Sequence, residues 1–138
     1  MPSRIAGIAL DAANPGLLAA FWCAVLDWEV VPEDGDGDEL VSIAARDRSG
    51  PCMDIIAVPE AKAGKNRLHL DLRADGISTA AELQRLLDLG AIRADVGQGP
   101  DVSWVVLADP EGNEFCLLSR TVQDVLRDDE QTRQQTQS

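Results

Sequence analysis

The sequence predicts an α+β fold built from two tandem βαβββ modules. Three observations predict it. The order strand, helix, strand, strand, strand occurs twice along the 138 residues. Val25-Leu26-Asp27-Trp28, at the end of the first helix, is echoed by Leu86-Leu87-Asp88-Leu89 at the end of the second. Finally, Lys65 to Leu72 alternates polar residues with leucine at the period of two of a half-buried strand, and so opens the second module as a strand must.

In the first module, Arg4 to Asp11 carries Ile5, Ile8 and Leu10 among small residues and is short enough for a buried strand. Asn14-Pro15 then has the form of an N-cap followed by proline at the first helical position. Leu17, Leu18, Phe21, Trp22, Val25 and Leu26 follow at helical spacing, which predicts a helix from about Pro15 to Leu26 with Trp22 on its core stripe. Trp28 to Val31 resumes as a strand, and the acidic stretch Glu33 to Glu39 makes a hairpin loop that lacks the spacing of a calcium loop. Leu40 to Ala45 and Cys52 to Val58 are the remaining strands, separated by the turn Ser49-Gly50-Pro51. Asp54 is out of place within Met53-Asp54-Ile55-Ile56, since a carboxylate buried there without a partner costs several kcal/mol. It either faces the same cavity as His69 or lies near a solvated strand end.

The second module repeats the pattern. A strand from Arg67 to Arg73 leads through Asp75-Gly76 to a helix with Ile77, Ala80, Leu83, Leu86 and Leu87, capped by Ser78 and stopped by Gly90. Ala91 to Val96 is a strand before the turn-rich Gly97-Gln98-Gly99-Pro100. Ser103 to Leu107 and Glu114 to Leu118 form a hairpin closed by Asp109-Pro110-Glu111-Gly112-Asn113. The polar tail 121–138 has only Val122, Val125 and Leu126 as an apolar stripe, which predicts a short helix that frays.

Composition narrows the function. A length of 138 residues suits one domain, here residues 1–120, with modules at about 4–59 and 65–120. A net charge of -12 and a pI of 4.3 disfavour nucleic acid and anionic membranes, which both require a basic surface. No stretch approaches the roughly 20 apolar residues that cross a bilayer, so no membrane association and a cytoplasmic location are expected. Cys23, Cys52 and Cys116 lack zinc-motif spacing and read as reduced thiols.

With these elements in place, the sequence resembles the vicinal oxygen chelate superfamily, which includes glyoxalase I, fosfomycin and bleomycin resistance proteins and extradiol dioxygenases. The resemblance covers about residues 4 to 120 and rests on Phe21-Trp22 with Val25-Leu26-Asp27-Trp28, on Lys65 to Leu72, and on Asp109-Pro110-Glu111-Gly112-Asn113-Glu114-Phe115-Cys116. Within the superfamily the chain looks most like the small glyoxalase-like domain proteins common in actinobacteria. The resemblance implies that the two modules close an eight-stranded, cup-shaped mixed sheet around a cavity, with the helices outside. It also implies a homodimer.

Metal-dependent members place one ligand on the first and one on the last strand of each module. Carried over, the second module supplies His69 and, where relatives usually have glutamate, Cys116. In the first module the positions fall near Gly7 or Ile8, which cannot coordinate, and near Asp54 or Ile55. His69, Asp54 and Cys116 are therefore the candidate metal ligands, for one divalent ion such as zinc, nickel, manganese or iron. His69 is the candidate catalytic group. One histidine cannot build the two-histidine iron site of an extradiol dioxygenase, and no glutathione site of glyoxalase I is evident.

A metal-free reading uses the same face. Arg67, His69, Asp71 and Glu114 line a cavity for a small polar or aromatic ligand, with Trp104 as a stacking wall or else as core. Arg67 pairs with Asp71 or with Glu114, and Cys116 is a small buried hydrophobe. Binding without turnover is the more economical function. Divalent-metal lyase or isomerase chemistry, or acid–base chemistry by His69 with a carboxylate, is the alternative.

Overall fold

The computed structural model describes residues 2–32, 39–94 and 104–136. The acidic loop and the Gly97-Gln98-Gly99-Pro100 turn lie largely or wholly outside them. The elements run β1 (Gly7–Ala12), α1 (Pro15–Leu26), β2 (Glu29–Val31), β3 (Leu40–Ala44), β4 (Cys52–Ala57), β5 (Leu70–Leu72), α2 (Thr79–Leu89), β6 (Ile92–Arg93), β7 (Trp104–Ala108), β8 (Glu114–Leu118) and α3 (Val122–Thr136). The βαβββ order thus occurs twice, as the sequence predicts. The strands form two four-stranded sheets, β1-β4-β3-β2 and β5-β8-β7-β6.

The chain divides into two compact units. The first is Met1–Gly64 together with Asp109–Gly112. Here β1 pairs parallel with β4, and β2, β3 and β4 pair antiparallel. The α1 helix begins where Asn14 Oδ1 accepts the Leu17 amide at 3.2 Å with Pro15 at the first turn, and ends at Asp27 in the left-handed conformation, φ 54°. Its apolar face buries Leu18, Phe21, Trp22 and Val25, while Ile43, Met53 and Ile55 are buried on the sheet. Each such side chain contributes about 1.5–3 kcal/mol by leaving water.

The loop Asp109–Gly112 fastens onto this unit. The buried Trp22 donates its indole N–H to Asp109 Oδ2 at 3.1 Å, while Asp109 Oδ1 accepts the Glu111 amide at 2.9 Å. Glu111 in turn accepts the Ala13 and Asn14 amides at 2.9 and 3.1 Å. A carboxylate just before a helix N-terminus satisfies free amides and complements the helix dipole. The stretch that reads as a hairpin turn is thus also a helix cap.

The second unit is Lys65–Ala108 with Asn113–Ser138. Strand β5 pairs parallel with β8, and β6, β7 and β8 are antiparallel. Ser78 Oγ caps α2 by accepting the Ala81 amide at 3.1 Å, and Gly90, at φ 118°, ends it. Leu86 is buried, as is Glu82, whose carboxylate takes two hydrogen bonds from Arg85 at 2.6 and 2.9 Å.

Two expectations are corrected here. The strand expected from Arg67 to Arg73 is only Leu70–Leu72. Residues 67 and 68 bend instead, because Asn66 is tied to the start of β8: its amide donates to Glu114 Oε2 at 3.2 Å and its side chain to the Glu114 carbonyl at 3.3 Å. Leu68 is consequently 90% exposed rather than turned to the core. The tail, expected as a short fraying helix, is instead a 15-residue helix. Thr121 and Asp124 form a reciprocal capping box, with Asp124 N–H to Thr121 Oγ1 at 3.1 Å and Thr121 N–H to Asp124 Oδ2 at 3.0 Å. Gln123 anchors its first turn to Asp75 and Gly76 at 2.7 and 2.9 Å.

The registers of the two sheets are superimposable pair by pair. Ile8 and Ile43 flank Met53 as Leu70 and Leu107 flank Phe115, all on the core-facing side. On the opposite face, Ala9 and Ser42 flank Asp54 as Asp71 and Val106 flank Cys116. Two residues before Ala9 and Asp71 stand Gly7 and His69.

Candidate functional site

The outward face of the second sheet is set by this register. Along β8 the side chains of Phe115 and Leu117 are buried on the core side, so Glu114, Cys116 and Leu118 point the other way. Asp71 lies directly beside Cys116 in the parallel pair, and Val106 and Trp104 sit opposite Cys116 and Leu118 on β7. Trp104, whose face the sequence leaves open, therefore shares the face of Asp71 and Cys116. At 38% exposure it is not core.

His69 joins the group from just before β5. Its Nδ1 lies 3.1 Å from Asp71 Oδ1 and 3.9 Å from Cys116 Sγ, with side-chain exposures of 42% for His69 and 49% for Asp71. The three donor atoms lie within 4.8 Å of one another. Burial, and then the negative charge of Asp71, hold the Cys116 thiol above its ordinary pKa, with Lys65 opposing weakly. The thiol is therefore a protonated group in the free site rather than an activated nucleophile. The approach of Nδ1 to the Asp71 carboxylate holds the imidazole in one orientation, and in the tautomer that donates from Nδ1 the Nε2 lone pair is left for a ligand.

The other candidate residues fall in different places. Glu114 shares the site face but is engaged by Asn66. Arg67 is exposed on the bend before β5, and Asp71 pairs with His69. Asp54 lies on β4 in the first unit, where it accepts from Ser42 Oγ directly opposite at 2.6 Å and from the Cys52 thiol at 3.7 Å.

The family model described as glyoxalase-like domain matches residues 7–118. The chain belongs to the glyoxalase-like domain family. It thereby falls in the vicinal oxygen chelate superfamily, and solved structures agree on the fold. A mutant of the fosfomycin resistance protein FosX from Listeria monocytogenes, complexed with Mn(II) and dihydroxypropylphosphonic acid, is 16% identical, with a TM-score of 0.64 over 90% of this chain and 95% of that one. A possible glyoxalase from Bacillus cereus is 14% identical, with a TM-score of 0.61 over 83% and 97%. A glyoxalase/bleomycin resistance protein/dioxygenase family enzyme from Burkholderia phytofirmans is 16% identical, with a TM-score of 0.59 over 83% and 97%. No curated protein sequence matches the chain. At these identities the likeness concerns the fold alone.

The register now tests the metal set that the family resemblance implies for this glyoxalase-like protein. The four strand positions are Gly7, Asp54, His69 and Cys116. Gly7 offers no donor, and a Cβ there would already stand 3.2 Å from Cys52 Sγ. Among the described residues, the donors that gather are instead His69, Asp71 and Cys116. Asp71, read from the sequence as a ligand-binding residue, is the carboxylate of this trio, while Asp54 belongs to the first unit. The sequence signal was present: His69-Leu70-Asp71 has the spacing that puts two donors on one side of a strand. What it lacked was the strand pairing that brings Cys116 beside them.

Proposed function

We propose that this glyoxalase-like protein binds a small polar or aromatic molecule on the outward face of its second sheet, without the complete family metal set. The observation that carries the reading is the register, which puts the exposed Trp104 and Asp71 on one face with the buried Val106 and Cys116, where His69 meets Asp71 and Cys116. An aromatic wall with a few convergent polar groups is the usual make-up of a small-molecule site. Gly7 in the place of a metal ligand supports a role that does not need the family's ion. Trp104 stacks on the ligand, while His69, held by Asp71, presents Nε2 to a donor on it.

The test is a thermal-shift screen of small aromatic acids, amines and amides, since specific binding raises stability by mass action. A hit is expected to be abolished by Trp104→Ala or His69→Ala and retained by Arg67→Ala. A hit indifferent to the first two would refute the site. The second reading, a divalent-metal-dependent lyase or isomerase, is favoured by the clustering of three donor atoms. In that case an ion held at His69 would polarise a substrate oxygen.

A further inference from the structure

We infer that the ligand taken by the outward face of the second sheet is an aromatic amine, its ammonium received by Asp71 and its ring laid against Trp104, a class that rests on the binding reading proposed above.

The face is divided between polar and apolar halves. Asp71, Cys116 and Val106 form one row across the ladder, Glu114, Ala108 and Ile92 a second, and Leu118 and Trp104 a third. Carboxylates therefore stand on β5 and β8, whereas the outward positions of β7 and β6 are apolar. Trp104 and Ile92, 38% and 65% exposed, are large apolar groups open to solvent at the two ends of the apolar half. Between them the floor is low, since Val106 is 3% exposed and Ala108 is small. A molecule with one polar end and one flat apolar body matches such a face.

Charge decides what the polar end is. The outward positions of the four strands hold two carboxylates, Asp71 and Glu114, and no lysine or arginine. The neighbouring basic residues turn elsewhere. Lys65 meets the Asn66 carbonyl at 3.4 Å ahead of β5, Arg73 donates to the Arg120 carbonyl at 3.0 Å, and Arg93, paired with Leu107, alternates to the face opposite Ile92. An anionic ligand would meet like charge on these strands, whereas an ammonium meets its complement.

Asp71 is placed to receive it. His69 holds the carboxylate from one side, Nδ1 to Oδ1 at 3.1 Å, so the acceptor is positioned before a ligand arrives. The Asp71 side chain is 49% exposed, so a cation reaches it without losing all its water. Asp71 and Trp104 stand two strands apart and two residues out of register. At about 4.8 Å per strand and about 3.4 Å per residue, their backbones are roughly 12 Å apart. Side chains leaning inward shorten that span to the length of a ring joined to its nitrogen by a short alkyl link.

The experiment is isothermal titration calorimetry of untagged full-length protein with three probes: phenethylamine, its acid counterpart 3-phenylpropionate, and n-butylamine, which lacks the ring. Phenethylamine is expected to bind about tenfold tighter than either of the others, since it alone makes both the charge-assisted bond and the ring contact. Asp71→Asn weakens it about tenfold and Trp104→Ala abolishes it. Asp71→Asn changes an exposed side chain, so its effect is read on folded protein, with far-ultraviolet circular dichroism as the check. Independently of any variant, raising sodium chloride weakens phenethylamine, because an exposed ion pair is screened. Equal or tighter binding of 3-phenylpropionate or n-butylamine, or a phenethylamine affinity indifferent to Asp71→Asn or to salt, would each overturn the proposal. If 3-phenylpropionate binds and is lost in Trp104→Ala, the binding reading stands and only the amine falls. If neither aromatic probe nor any molecule of the thermal-shift screen binds, both fall together.

Discussion

Replacing Asp109 with alanine tests the anchoring of the loop most severely, because a side-chain donor and a backbone donor converge on one buried carboxylate. Asp109 is 2% exposed and Trp22 is 1% exposed. The substitution removes the acceptor of the Trp22 indole N–H, at 3.1 Å, and of the Glu111 amide, at 2.9 Å. A buried donor left without a partner costs about 1–3 kcal/mol. The indole is enclosed and bears the larger share, whereas the part-buried Glu111 amide can recruit water and bears less. The sum is about 2–5 kcal/mol, a large part of the roughly 5–15 kcal/mol that holds a domain folded. Asp109→Asn keeps one acceptor oxygen and should cost roughly half as much. The assay is urea unfolding followed by tryptophan fluorescence. With a slope of about 1–3 kcal/mol per molar, the midpoint should fall on the order of 1–2 M for alanine, at unchanged slope. Trp22→Phe combined with Asp109→Ala should cost less than the sum of the two single changes, since each single change strands the remaining member of the pair. If Asp109→Ala costs less than about 0.5 kcal/mol, or if the two changes are additive, the hydrogen bond is not what fastens the loop.

Three other outcomes follow from particular residues. Leu68→Ser should change stability by less than about 0.5 kcal/mol, because a side chain 90% exposed has little apolar burial to lose; a loss above 1.5 kcal/mol would restore the regular strand that the sequence suggested. In metal-free protein the Cys116 thiol should be alkylated slowly by iodoacetamide at neutral pH, and Asp71→Asn should speed the reaction, since removing that negative charge lowers the thiol pKa; peptide mass spectrometry reads the rate, and slower alkylation in the variant would contradict the stated cause. The hydrogen bonds from the backbone and side chain of Thr121 hold the Asp124 carboxyl below the ordinary aspartate range. A depressed folded-state pKa means that its contribution is fully present above the unfolded value and is lost as pH falls through the lower, folded value. The helical circular dichroism signal of α3 should therefore weaken only below the usual aspartate range. Asp124→Ala should start with a weaker signal and lose that acid step.

The fold was legible wherever the signal is local. Asn14, Ser78 and Gly90 cap or stop the helices as their residue types imply, Trp22 is core as its place on the α1 stripe implies, and the repeated strand order emerges intact. Even the missed length of α3 had a local mark, since Thr121-Val122-Gln123-Asp124 is a capping-box pattern preceding Val125 and Leu126. Non-local facts were not legible. Nothing near Glu111 in sequence says that its carboxylate meets the Ala13 and Asn14 amides, 98 and 97 residues away. Nor does the alternation of Lys65 to Leu72 reveal that Asn66, bonded to Glu114, ends the regular pattern before Leu68. The site divides the same way. His69 and Asp71 share a face by spacing, but Cys116 reaches them only through the parallel β5–β8 pair, whose register no turn fixes.

The duplicated register shows how one backbone pattern gives two different chemistries. In both sheets the same position on the last strand carries a group able to coordinate or donate, Asp54 in one and Cys116 in the other. What differs is the neighbours. Asp54 has Ser42 opposite, whose hydroxyl donates at 2.6 Å, and Ala9 and Gly7 on its other side, so its charge is answered within the sheet and no second ligand stands near it on β1. Cys116 has Val106 opposite, which offers it no hydrogen bond, and Asp71 and His69 on its other side. Its polar relations therefore run toward the partly exposed edge of the sheet, where an ion or ligand can add to them. The first module's carboxylate is thus committed to holding its own sheet, whereas the second module's thiol has its polar neighbours, Asp71 and His69, on one side only.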